Sequence, residues 1–387
     1  MEQRGFILIA DITGYTAYLN ESELEHAQGT LTDLLELLIA HTNQPLVISR
    51  LEGDAVISYG LEAGFLNGQT FLEMIETTYT DFRKAIELMV LNNTCQCNAC
   101  ANVSALDLKF FVHFGTFALQ TLGNHEELLG TDVNLIHRLL KNTVTEDTGI
   151  RAYLLCTDAA IDALGIDAAA ESMVGHTETV ADLGEASMWV KDMQPAYESG
   201  AGDRFEFDPD EILGTLTVDI ALPQPVVWDY LADLGFRTIL LSSDRQEVTD
   251  RQGGRVGTGS AYQCYHGSKV YPQVILEWEP FDRIVLDQVI ERGGSMLLDY
   301  ELSPIEGGTR LASTAARLVG PGIYFKVMRA AMFVYGAIAH RRMKQFRDAI
   351  EEDFAQRRAP EPAAALDPSS IAETAAEAVA GWNALTR

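Results

Sequence analysis

Basic residues are scarce in this 387-residue chain: 28 Lys and Arg stand against 56 Asp and Glu, a formal net charge of −28. That balance excludes a nucleic-acid binder, since neutralising phosphates takes clustered Lys and Arg. It also disfavours anionic lipid surfaces. A nucleotide site would have to draw its positive charge from particular Arg residues, metal ions or helix N-termini. Long apolar runs are missing too. The run Phe6 to Ala10 stops at Asp11, too early for a secretory signal. The stretch 322–339 is broken by Lys326 and Arg329 and followed by His340, Arg341 and Arg342. It reads as a buried helix, because a membrane span needs about 20 uninterrupted apolar residues. Cysteines number five, and an odd count without a signal peptide excludes a disulfide framework and implies a reducing cytoplasm. No internal repeat is present.

What remains is globular in composition, 47% apolar and 22% charged, and long enough for two or three domains. Apolar runs at 6–10, 46–49, 55–59, 108–117 and 151–156 predict strands. Helical periodicity at 22–40, 70–91 and 132–141 alternates with them, so the first part is α/β around a sheet. Composition shifts at 195–210, where Glu198-Ser199-Gly200-Ala201-Gly202 reads as a linker. Beyond it strands dominate, at 214–221, 261–267, 270–279, 283–291, 295–304 and 309–318, closed by one long helix over 324–354. The expected organisation is a domain at 1–195, a linker at 196–209, a second domain at 210–355 and an Ala/Pro-rich tail at 356–387 with a loose helix over 370–385.

Three N-terminal segments carry polar residues where a purely structural element would not want them. Asp11 ends a buried strand, and Thr13 and Gly14 follow in a turn whose amides suit a phosphate. Arg50-Leu51-Glu52-Gly53-Asp54 is a tight hairpin presenting a second carboxylate. Two carboxylates on adjacent strand ends are what Mg²⁺ needs when a triphosphate supplies its other ligands. Asn134 and Arg138, at i and i+4, share a helix face.

Together these segments resemble the class III adenylyl/guanylyl cyclase catalytic domain, an α+β sandwich of ferredoxin-like type. The resemblance implies Mg or Mn held by Asp11 and Asp54, ribose orientation by Asn134 and transition-state stabilisation by Arg138. It also implies a site formed between two copies, hence a homodimer, and a purine nucleotide as ligand. Three positions depart from the pattern. Arg50 stands where the family has its purine-selecting Lys, and Glu127 where it has an Asp. Asp182 lies near the phosphate-binding Lys position, with no Lys before Lys191. Arg is not a conservative replacement for Lys at a hydrogen-bonding site. Two readings therefore stand, a live cyclase site and an inherited fold with an altered one.

Cys95, Cys97 and Cys100 are close enough to share a structural Zn, with His113 or Cys156 as the expected fourth ligand; the alternative is an unliganded loop. His26, His41, His137 and His176 have no partnered spacing and read as ordinary surface or helix residues.

The order β-α-β(n)-α of the second part, with its opener Val226-Val227-Trp228-Asp229-Tyr230-Leu231, resembles the START-like (SRPBCC) helix-grip superfamily. That resemblance implies an antiparallel sheet gripping the last helix around a cavity for an apolar small molecule or lipid. Met328, Ala331, Met332 and Tyr335 give the helix an adaptable apolar wall, and Tyr262 and His266 are candidates to orient a ligand head. The leading expectation is a nucleotide-binding, cyclase-like signalling protein with a hydrophobic-ligand domain. The alternatives are a non-catalytic dimeric binding protein and an enzyme or carrier acting through the second domain.

Overall fold

The computed structural model describes residues 2–358, apart from positions 43–44, 93–94, 96, 123–124, 182, 201, 203 and 252–253. The expected helix over 370–385 and Asp182 lie outside the described residues. The N-terminal part runs β1 (Glu2–Thr13), α1 (Tyr15–Glu21), α2 (Leu24–Thr42), β2 (Val47–Glu52), β3 (Ala55–Leu61), α3 (Gly68–Leu91), α4 (Asn98–Asn102), β4 (Asp107–Leu122) and β5 (His125–Leu129). It continues with α5 (Thr131–Leu139), α6 (Val144–Thr148), β6 (Tyr153–Thr157), α7 (Asp158–Leu164), β7 (Val174–Val180), β8 (Gly184–Asp192) and α8 (Gln194–Glu198).

These strands form a sheet in the order β2-β3-β1-β4-β6-β8-β7, with β5 paired to β4. The apolar run of β1 is explained by burial on both faces. Phe6, Leu8, Ala10 and Ile12 pack with Leu34, Leu38, Phe71 and Ile75 of α2 and α3. Ile7 and Ile9 pack on the other side with Val133, Ile136 and Leu139 of α5. Alternation along the strand fixes which face each residue takes, and Asp11 shares the phase of Ile7 and Ile9. At Gly14 the backbone turns left-handed (φ 90°), and a Cβ there would sit 3.3 Å from the Ala105 carbonyl oxygen. The segment after it is the short helix α1, where the sequence suggested only a turn.

The C-terminal part runs β9 (Ile212–Ile220), α9 (Gln224–Ala232), α10 (Leu234–Leu241), β10 (Arg245–Asp250), β11 (Ala261–His266), β12 (Lys269–Glu279), β13 (Arg283–Ile290), β14 (Gly294–Ile305), β15 (Gly308–Val319), α11 (Ile323–Ala330) and α12 (Met332–Arg358). Its sheet is antiparallel throughout, in the order β10-β11-β12-β13-β14-β15-β9. Met343, Phe346, Ile350 and Phe354 bury one stripe of α12.

Two expectations need correction here. The single helix over 324–354 is two, broken at Ala331 (φ −89°, ψ 3°). The stretch 322–339 is not buried: Ile323 is 78% exposed and Val327 61%. Among the described residues Phe325 is its buried one, and Met328, Met332 and Tyr335 face a cavity.

The two sheets are joined through α3. Trp228 and Trp278 each donate an indole N–H to the buried Glu73 carboxylate at 2.8 Å. Thr70 Oγ1 donates to Asp229 at 2.6 Å, and Arg255 makes a two-pronged contact with Glu76 at 2.9 Å.

Candidate functional site

Asp11 lies opposite Ala55 on β3 and Lys109 on β4. Asp54 occupies the β2–β3 turn, whose carbonyl accepts the Ile12 amide at 3.2 Å, tying the turn to the end of β1. Burial, reinforced by the nearby Asp54 charge, pushes the Asp11 carboxyl up to about 6, while the Lys109 ammonium pulls the other way. Asp54 is also raised by burial. Two half-buried carboxylates that disfavour each other's charge are relieved by a shared cation. The donor set is all oxygen, which suits Mg²⁺ or Mn²⁺. Two residues further along β1, the Thr13 hydroxyl oxygen is buried with no hydrogen-bond partner among the described residues, leaving another oxygen for an incoming group.

Arg50 and Glu127 come together at 3.7 Å from β2 and β5. Arg50 also pairs with Glu52 at 2.5 Å and approaches His137 Nε2 at 3.3 Å. His137 Nδ1 lies 3.6 Å from Glu52. Burial lowers the proton affinity of His137, with Glu52 opposing. His137 is thus part of a polar cluster and not the ordinary helix residue its spacing suggested.

Asn134 and Arg138 lie on the exposed side of α5, while Val133, Ile136 and Leu139 hold its other side to the sheet. Arg138 Nη1 donates to the Ala181 carbonyl just beyond β7. The helix packs closely because Gly115 leaves room for Asp132. A Cβ at Gly115 would fall 2.4 Å from the Asp132 carboxylate, which accepts the Thr116 amide at 2.6 Å. Lys191, the first lysine after the late strand turn, is engaged elsewhere. Its ammonium is 2.8 Å from Glu171 and 3.4 Å from Glu76, inside the network that holds Arg255.

A second cluster lies on the opposite layer. His26, Cys95, Cys97 and Cys100 bring one ligand atom each to within 4.8 Å of one another. His26 Nδ1 is 3.2 Å from Cys97 Sγ and 3.7 Å from Cys95 Sγ. The Cys100 amide donates to Cys97 Sγ, and this bond, with His26, draws the Cys97 thiol down to about 7. Three sulfurs and one imidazole are a ligand set for tetrahedral zinc. Neither expected fourth ligand, His113 nor Cys156, belongs to this group. His113 is buried in β4 and bonds Thr157 Oγ1 at 2.9 Å, and Cys156 is a core residue whose thiol burial pushes up to about 12. The fourth member of the group is His26, on α2 and 71 residues before Cys97, so no local spacing reveals it.

Between α11, the start of α12 and the second sheet lies a cavity of about 920 Å³. Met328, Met332, Tyr335, His266, Tyr300 and Gln288 are on its wall. Ala331 forms the break between the helices and is not on that wall, and Tyr262 is fully buried behind it. No helix among the described residues is long and apolar enough to cross a membrane.

A family described as a protein of unknown function (DUF2652) matches residues 31–148, from α2 to α6. The "Uncharacterized protein Rv2561/Rv2562" of Mycobacterium tuberculosis is 28% identical over 171 residues, 43% of this chain and 77% of that protein. Among solved structures, the guanylyl cyclase Cya2 aligns with 49% of this chain and 92% of its own, at 12% identity and a TM-score of 0.36. The guanylate cyclase domain of RhGC from Catenaria anguillulae, solved with GTP, aligns with 50% of this chain and 98% of its own, at 17% identity and a TM-score of 0.34. The adenylyl cyclase CyaB from P. aeruginosa aligns with 50% and 95%, at 14% identity and a TM-score of 0.34.

Proposed function

We propose that the N-terminal part is a cyclase-like domain that binds a purine nucleoside triphosphate with Mg or Mn, and that the C-terminal part is a START-like domain holding an apolar ligand. The observation that carries the first half is a pair of carboxylates with raised proton affinities at the end of β1, Asp11 and Asp54, together with the pairing of Arg50 and Glu127 at 3.7 Å. A divalent ion bound there would neutralise triphosphate oxygens and make the ribose 3′-hydroxyl more acidic. Thr13 adds an oxygen beside the carboxylates, and Lys109 a positive charge. Arg50 donates to, and Glu127 accepts from, the edge of the purine. Asn134 and Arg138, exposed on α5, orient the ribose and stabilise charge at the α-phosphate in a site completed by a second copy of the chain.

One observation favours a second reading, a degenerate cyclase site in a non-catalytic dimeric binding protein. Lys191 is locked to Glu171 and Glu76 and is not free to hold a triphosphate. The discriminating assay incubates purified protein with ATP or GTP and Mn²⁺ and quantifies cyclic nucleotide by mass spectrometry. Product that disappears in Arg138→Ala supports cyclisation; saturable nucleotide binding without product supports the second reading.

For the cysteine cluster we propose structural zinc on His26, Cys95, Cys97 and Cys100, pinning α4 to α2. The second sheet with its closing helix and cavity supports the apolar-ligand role.

A further inference from the structure

Arg237 of α10 is fully buried (0% exposed), and an isolated buried guanidinium is costly unless something compensates it. Its Nε donates to Gln246 Oε1 at 3.2 Å, and its plane lies 4.4 Å from the centre of the Tyr262 ring. Both terminal nitrogens, Nη1 and Nη2, are buried with no hydrogen-bond partner, and no ion pair to Arg237 exists among the described residues. Arg283, at the start of β13, shows how this chain treats a structural buried arginine. Asp299 grips it with two bonds of 2.9 Å, and Glu277 adds a third contact at 3.1 Å.

The unsatisfied atoms are not scattered. Tyr262, Gln273 and Gln288 are register partners across β11, β12 and β13, so they form one polar row along the inner face of the sheet. The Tyr262 hydroxyl, both amide atoms of Gln273 and the Gln246 Nε2 are buried without partners. Arg237, Tyr262 and Gln273 lie behind the cavity wall; the row reaches the cavity at Gln288, which lines it, as do Leu240 and Leu241, three and four residues after Arg237 on the same face of α10. Donors outnumber acceptors in this set, which favours an anion over a neutral polar group. The two terminal nitrogens of one guanidinium match both oxygens of a singly charged, planar carboxylate.

We propose that Arg237 anchors the carboxylate of the cavity's ligand, an amphipathic carboxylic acid whose apolar body lies against Met328 and Met332 and whose head is reached through Tyr262 and Gln273. This rests on the reading of the cavity as an apolar-ligand site and adds the class of head group.

The test titrates the full-length protein with cis-parinaric acid, its methyl ester, and dodecanoic acid against dodecyl phosphate as displacers. The acid should bind saturably, and Arg237→Met should weaken it by about tenfold or more while leaving the ester unchanged. Gln273→Leu should weaken the acid in the same selective way and serves as the second variant if Arg237→Met does not fold. Equal binding of acid and ester to wild type, unchanged in the variants, overturns the anchor but keeps the cavity. Stronger displacement by the phosphate overturns the carboxylate assignment. No saturable binding of either probe overturns both readings.

Discussion

Glu73 accepts the indole N–H of Trp228 at 2.8 Å, so a single buried carboxylate on α3 fastens the second sheet to the first. Trp278 donates to the other carboxylate oxygen, and the two tryptophan rings meet edge to face 4.9 Å apart. Burial raises the Glu73 carboxyl to about 7, with the hydrogen bonds from Gln69, Trp228 and Trp278 holding it lower than burial alone would. Below the ordinary glutamate value the group is protonated in both folded and unfolded chains and costs nothing. Between there and about 7 only the unfolded chain ionises, so stability falls as pH rises. Above about 7 the full cost, about 3 kcal/mol, is present. Chemical denaturation should therefore show a more stable protein at pH 5 than at pH 8 through this group. Glu73→Gln should flatten that difference; an unchanged pH slope in the variant would remove Glu73 as its source.

Trp228 is fully buried at the same junction. Its replacement by Ala should cost about 3–5 kcal/mol, read as a lower midpoint in guanidinium. A surface-like loss below about 0.5 kcal/mol would mean that the two sheets are held by other contacts.

Metal analysis of protein purified without added zinc should return about one zinc per chain, lost in His26→Ala as well as in Cys97→Ser. The histidine variant is the sharper probe, because sequence spacing did not point to it. A full zinc complement in His26→Ala would return that residue to the surface.

Much of the chain was legible because its strands announce themselves. Phe6 to Ala10 is continuous and apolar, as a strand buried on both faces must be, and Leu31, Leu34 and Leu38 mark the inward face of α2. Short, polar elements were not legible. β10 reads Arg245-Gln246-Glu247-Val248-Thr249-Asp250, an edge strand with little to bury. The break at Ala331 was hidden because both sides of it have helical periodicity. In the sites, carboxylates at strand ends were visible, since a charge closing an apolar run stands out. His26, His137, Lys109 and Arg237 were not, because their roles come from partners brought from distant segments or, for Arg237, from the lack of one.

Gly336 lines the cavity, and a Cβ added there meets no atom within 4 Å. Gly336→Trp should fold with little loss, since glycine in a helix interior costs about 1 kcal/mol against other residues. It should abolish saturable binding of an apolar probe by filling the volume. A destabilised variant whose wild-type parent never bound the probe would mark the space as ordinary core.

Metal-dependent nucleotide binding at Asp11 and Asp54 is tested by equilibrium titration of ATP and GTP in the presence of Mn²⁺. Protons compete with the metal for Asp11, whose carboxyl is raised to about 6, so affinity should be full near pH 8 and fall as pH drops through about 6. Asp11→Asn and Asp54→Asn should each weaken binding by about tenfold or more with the fold intact by circular dichroism. Equal affinity in wild type and both variants, or no saturable binding of either nucleotide to the wild type, would contradict the claim.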